Sequence, residues 1–389
     1  MRRRDFLTLG AVMSLGGNNV FAQTEQDAFA KYKQQQQQAF NSYKTELLEA
    51  FAEYQRIHNR AFSAYSQGIA NRWQQVETSD PTKWVTYDSD LATKVVVDYR
   101  RQNVRIESVL PPSAQQKMHI EQMLQTLNQS SLSKLIQRDP VDRALNQFAN
   151  EANEALDQKY QASEKVSEVQ SDALKQKTVE VATILPKPKI VKTSQGQNLT
   201  QFVIPLSTHN LSEKEQRYLH QVQSQAKKWH IDPSLVMAVT RTESAFNPLA
   251  KSAVPAYGLM QIVPRSAGMD ATQLIYGHSR LVSPNYLYTP ENNIQMGSAY
   301  LHILQYRYLK RIQDPQTRLY CTIAAYNTGA GNVARAITGR TKLASLAEAA
   351  NSMTPQRVHN RLMRSLPYDE TKHYLERVLK AKKQYQEYT

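Results

Sequence analysis

The sequence predicts a multidomain protein: a mainly α C-terminal domain, preceded by a small α+β domain and a long N-terminal helical segment built on a repeat. Three observations predict this. An aromatic motif returns every 11 residues between positions 23 and 80, β-branched runs cluster between 84 and 109, and helix-capping signals recur from residue 208 onward. The chain of 389 residues has room for two or three domains, each able to bury a core.

Residues 1–22 read as an export segment rather than as fold. Arg2, Arg3 and Arg4 precede a mostly apolar stretch, Phe6 to Val20, that is too short to span a bilayer. Val20-Phe21-Ala22 offers the small residues a signal peptidase needs. Arg3-Arg4-Asp5-Phe6-Leu7 is similar to a twin-arginine signal, a receptor-read address. No Cys follows, so a lipoprotein-type anchor is not expected, and the mature protein is expected in the periplasm.

In residues 23–80, Phe29, Phe40, Phe51 and Phe62 keep an 11-residue period, with Tyr32, Tyr43, Tyr54 and Tyr65 in step and Trp73 on the next Phe register. Eleven residues make three turns at about 3.67 per turn, which holds the stripe on one helix face with a slight right-handed drift. The stripe serves either as a stalk docking on a membrane surface or envelope protein, or as packing against a neighbouring helix or a copy of itself. Asp80-Pro81 is expected to end the helix.

Residues 81–207 form the small α+β domain. Trp84 to Tyr87, Lys94 to Tyr99 and Asn103 to Val109 alternate as an antiparallel meander does, and Pro111-Pro112 stops it. Residues 113–135 and 140–175 look helical; Val179 to Ile184 and Gln201 to Leu206 read as strands flanking the Pro- and Lys-rich stretch 186–193. Its His and acidic residues lack ligand spacing, so neither a metal nor a cofactor is expected.

Residues 208–389 read as helices. Ser212 with Glu215 forms a capping box, and Asp232 caps a further helix with Pro233 at its first position. Helices at about 290–311, 314–326 and 369–386 follow.

Composition narrows the class. With 41% hydrophobic and 21% charged residues, the chain is globular rather than multi-pass. Cys321, the single cysteine, rules out an intramolecular disulfide and paired-thiolate zinc, and its apolar neighbours place it in a core. The net charge of +14 points to an anionic partner. From residue 208 on there are 23 basic against 12 acidic side chains, and 25 against 22 in the remainder, so the basicity belongs to the C-terminal domain. Nucleic acid has no supporting motif, and export argues against it.

The helix after Asp232 carries the chemistry. Leu235, Val236 and Val239 make an apolar face that Glu243 continues. A carboxyl on a buried face has its pKa raised, and a Glu held protonated near neutral pH suits general acid catalysis on a glycosidic oxygen. Taken alone, the helix equally allows Glu243 to pair with Arg241 or to cap a loop.

The surroundings decide. Glu243-Ser244-Ala245-Phe246-Asn247-Pro248 is followed by Ser252, by Gly258-Leu259-Met260-Gln261-Ile262-Val263-Pro264, by Asn293-Ile294 with Gly297, Tyr300 and Leu301, by Ala325-Tyr326-Asn327 with Gly329 and Gly331, and by Tyr368-Asp369-Glu370-Thr371 with Tyr374. Five ordered blocks over about 180 residues resemble the lytic transglycosylase domain of the soluble lytic transglycosylase family. Within it, the meander before Phe202 to Leu206 is similar to the subfamily of membrane-bound lytic murein transglycosylase C, whose members usually carry a lipoprotein Cys that this chain lacks.

The resemblance implies a lysozyme-like fold and peptidoglycan glycan strands as substrate, cleaved between N-acetylmuramic acid and N-acetylglucosamine. It implies Glu243 as the one catalytic carboxyl, first acid and then base, with the muramic C6 hydroxyl closing a 1,6-anhydro ring. Ser252 and Gln261 would hydrogen-bond the sugars, Gly258 would let the backbone approach the ligand, and Tyr326 would point its hydroxyl at the reaction centre. Asn327 would fix that loop and Glu370 would line a subsite. The alternatives are a hydrolytic muramidase of similar fold using Asp270, Glu291 or Asp369 as second carboxylate, and a non-catalytic peptidoglycan-binding scaffold.

Overall fold

The computed structural model describes residues 20–160, 185–194, 196–206 and 210–389. The expected export segment, apart from its last three residues, and the expected strand at Val179 to Ile184 lie outside these.

A 51-residue helix, α1 (Val20–Ala70), comes first and runs about 75 Å. It ends ten residues before Asp80-Pro81 because Trp73 is needed elsewhere. The Trp73 backbone N–H still donates to Ile69 O (2.8 Å), but its indole leaves the helix, packs edge-on against Tyr87 and donates to Leu91 O (2.6 Å). The repeat packs on a neighbour: Leu47, Phe51 and Tyr54 are buried against Val141, Leu145, Ala149 and Leu156 of α4 (Pro140–Tyr160). Its earlier members Phe29, Tyr32 and Phe40 are exposed.

The meander forms as expected: β1 (Lys83–Tyr87), β2 (Thr93–Asp98) and β3 (Asn103–Ser108) pair antiparallel. β5 (Asn198–Pro205) returns to β3, setting Asn103 opposite Pro205 and Ser108 opposite Thr200. A strand the sequence reading missed, β4 (Lys189–Lys192), completes the order β1-β2-β3-β5-β4. It lies in the Pro- and Lys-rich stretch and has no buried face, since an exposed edge strand is held by backbone pairing and its lysines discourage further pairing. Helices α2 (Ala114–Gln129) and α3 (Leu132–Ile136) divide the expected 113–135 helix at Ser130-Ser131.

The sheet does not stand apart. One hydrophobic core runs from Val95, Val97, Val104 and Ile106 through Ile120 and Leu127 to Tyr218, Val222 and the C-terminal helices. The first of these helices, Asn210–Trp229, begins two residues ahead of Ser212, so the expected capping box does not open it. Others follow at Pro233–Ser244, Pro290–Ile303, Pro315–Thr328 and Asp369–Tyr385. Cys321 is fully buried among them. No helix among the described residues is long and apolar enough to cross a membrane.

Candidate active site

Glu243 occupies the last turn of the helix Pro233–Ser244. Asp232 accepts from the Ser234 N–H at 2.8 Å, Pro233 fills the first position, and Leu235, Val236 and Val239 are wholly buried. Just past Glu243, Ala245 and Phe246 both take positive φ (51° and 61°) and turn the chain sharply away. The Ser244 hydroxyl donates to Leu259 O (2.7 Å), tying the helix end to the loop that carries Gly258 to Gln261.

The Glu243 side chain is partly open to solvent while its carboxyl sits deep. Burial pushes its pKa up to about 7; the Glu370 charge adds to the rise, and Tyr374 and Arg377 oppose it. The Arg241 pairing allowed by the sequence does not form: its guanidinium donates to Gln384 (3.1 Å) and lies 3.9 Å from Glu215. Tyr374 is buried beside Glu243 and stabilises the ionised carboxylate, yet its hydroxyl completes no well-formed hydrogen bond. That residue was quoted within a motif but not singled out, because a Tyr at helical spacing reads as core.

Asn293 holds the loop. Its Nδ2 donates to Tyr257 O (2.8 Å) and Leu287 O (2.7 Å), while its Oδ1 accepts from Met260 N–H (2.7 Å). Met260 in turn packs where a Cβ on Gly297 would stand. Gly258, with φ of 74°, serves the same packing: the space its Cβ would need is filled by Leu287 O and the Asn293 amide. Protein therefore occupies the Cβ side of this glycine. Gln261 Nε2 donates to Gly258 O (3.0 Å), and its buried Oε1 has no partner among the described residues. The Ser252 hydroxyl turns back onto Val254 O.

Tyr326 lies near Glu243 with its hydroxyl buried. Its hydroxyl donates to Met260 O (2.8 Å) rather than to the carboxyl, although Glu243 raises its pKa. Asn327 Oδ1 accepts from the Thr371 hydroxyl at 2.7 Å, which links its segment to the last helix. Glu370 is exposed at the start of that helix. Among the described residues no group of three His, Cys, Asp or Glu side chains is placed to hold a metal ion.

Residues 220–347 match the family model of the transglycosylase SLT domain. Glu243, Ser252, Gly258, Gln261, Tyr326 and Asn327 lie inside the match; Glu370 and Tyr374 lie beyond it. Membrane-bound lytic murein transglycosylase C of Serratia proteamaculans (strain 568) is 40% identical over 206 residues, 52% of this chain and 56% of its own. The protein of that name from Glaesserella parasuis serovar 5 (strain SH0165) is 37% identical over 199 residues, 51% of this chain and 54% of its own. The chain thus spans little more than half the length of these relatives. The lytic transglycosylase Slt of Pseudomonas aeruginosa, solved as an inactive mutant, aligns at 28% identity and a TM-score of 0.33 over 43% of this chain and 24% of its own. What α1 and the sheet add lies outside the matched SLT domain.

Proposed function

We propose that the chain is a peptidoglycan lytic transglycosylase that cleaves the β-1,4 bond from N-acetylmuramic acid to N-acetylglucosamine without water, in cell-wall turnover or remodelling. One observation carries the reading: a single carboxyl, Glu243, held near pKa 7 by burial inside an SLT domain. Protonated Glu243 gives its proton to the glycosidic oxygen as the bond to C1 breaks. The carboxylate then takes the proton of the muramic C6 hydroxyl as that oxygen bonds to C1, so the 1,6-anhydro ring closes and Glu243 is protonated again. Intramolecular attack carries effective molarities up to about 10⁸ M, which removes the need for a positioned water. Tyr374 stabilises the carboxylate between the two transfers.

The other residues support binding. The unpartnered Gln261 Oε1 suits an acetamido N–H, since a buried acceptor left unsatisfied is costly. Ser252 adds a hydroxyl on the same loop, and Glu370 lines the approach to Glu243. Tyr326 acts through Met260, and Asn327 holds its segment. The basic C-terminal domain attracts a carboxylate-bearing polymer. The reading includes export by residues 1–22 to the periplasm, division near residues 80 and 207, and contact of the exposed Phe29 and Phe40 end of α1 with the envelope.

A hydrolytic muramidase is less well supported. Of its candidate second carboxylates, Asp270 accepts from Tyr308 (2.7 Å), Asp369 is exposed and pairs with Lys372 (2.8 Å), and Glu291 acts on Tyr218. None of the three acts on Glu243. A non-catalytic scaffold would have no use for the raised pKa of Glu243. Digestion of purified sacculi with mass analysis of the fragments is the test. Anhydro ends without solvent oxygen are expected; reducing ends labelled from ¹⁸O water would establish the hydrolase, and no new ends the scaffold.

A further inference from the structure

A cavity of about 200 Å³ lies where α1 and β1 meet the loop carrying Lys251 and Ser252. Its α1 wall is His58, Phe62 and Tyr65, three residues on one helix face. The His58 and Phe62 rings stack on each other, 6° between planes and 5.8 Å between centroids, which fixes this aromatic wall. His58 is only 5% exposed; one ring nitrogen meets Asn59 Oδ1 at 3.3 Å and the other has no partner among the described residues. The remaining walls carry no surplus of positive charge, since Asp139 shares Lys251 with Asp142. Asp139 lies 3.2 Å from Lys251, and Asp80 lies 3.2 Å from Lys83.

We infer that this cavity is a saccharide subsite, added by α1 to the groove of the SLT domain, which takes one neutral sugar ring of the glycan strand. The inference rests on the reading of Glu243 as acting on such a strand. Aromatic rings cover the apolar face of a pyranose, while an imidazole nitrogen and the Tyr65 hydroxyl are suited to its polar edge. Walls with carboxylates in excess favour a neutral ring over an anionic peptide stem. Ser252 lines the cavity and is joined along the chain to Gly258 and Gln261. His58, Phe62, Tyr65 and Asp139 all lie outside residues 220–347, so the match to the SLT domain does not account for the cavity.

The test is binding, measured by calorimetry on Glu243→Gln protein with peptide-free glycan strands of graded length. Phe62→Leu and His58→Leu should each weaken binding of long strands by about tenfold and leave fragments too short to reach α1 unaffected. Tyr65→Phe, which keeps the ring packing, is the check should either variant fail to fold, and a smaller loss on long strands is expected of it. Unchanged affinity for long strands in folded variants overturns the subsite. Loss confined to peptide-bearing strands also overturns it, assigning the cavity to the stem. Because binding needs no turnover, failure of wild-type protein to cleave glycan refutes the role of Glu243 and is distinguishable from failure here.

Discussion

Gly258 and the side chain of Asn293 pack so closely that no β-carbon fits between them: an ideal Cβ on Gly258 would stand 2.4 Å from Asn293 Nδ2 and 2.2 Å from Leu287 O. Gly258→Ala must also hold φ near 74°, a left-handed conformation costing an L-residue about 1–2 kcal/mol. Overpacking adds a further 1–3 kcal/mol or so. A loss of about 3 kcal/mol in urea unfolding is expected, with cleavage falling because the loop also carries Gln261. A variant as stable as wild type would show that the loop yields.

Glu243 makes both activity and stability depend on pH. Cleavage should fall as pH rises past about 7, where the acid form is lost. For stability, the folded pKa stands above the unfolded value of 4.5, so folding takes up a proton between them. The contribution is fully present below 4.5 and lost as pH rises through 7. Glu243→Gln should therefore unfold like wild type at pH 4 and be more stable by roughly 1–3 kcal/mol at pH 8. Equal melting at both values would mean the carboxyl is well solvated.

Lys251 joins the loop to α4. Its ammonium lies 2.7 Å from Asp142 and 3.2 Å from Asp139, with the Tyr288 hydroxyl donating to Asp142 at 2.9 Å. Burial and the Asp139 charge push Asp142 up to about 6 despite the lysine. Lys251→Met leaves two carboxylates facing each other and should cost about 3–5 kcal/mol at pH 8. The loss should shrink at pH 5, where Asp142 takes a proton. Unfolding curves at the two values check it.

Tyr326→Phe removes the donor to Met260 O and should cost about 1 kcal/mol. Since the hydroxyl acts through the loop, turnover should fall with the pH profile unmoved; a displaced alkaline limb would place the hydroxyl on Glu243 itself.

The repeat in α1 divides into working and idle members. Phe51, 2% exposed, should cost about 3–5 kcal/mol when replaced by Ala, while Phe40→Ala, at a site 55% exposed, should be near neutral. Equal losses would require a partner covering the first half of the stripe.

Local chemistry was readable along the chain because it depends on near neighbours. Asp232 with Pro233 marks a helix start, the spacing of Leu235, Val236 and Val239 turns Glu243 inward, and the alternation in 83–108 makes three strands. Ordered motif blocks brought Glu243, Gln261, Tyr326 and Asn327 into view. Long-range geometry was not readable. Whether Gly258 faces ligand or protein, whether Tyr326 donates to Glu243 or Met260, and that Tyr374 stands beside Glu243 rather than in plain core all depend on segments far apart in sequence. β4 escaped notice because an exposed edge strand is held by backbone pairing, which leaves no hydrophobic period. The end of α1 followed from where Trp73 finds its cover, a matter of packing across the fold and not of helix propensity.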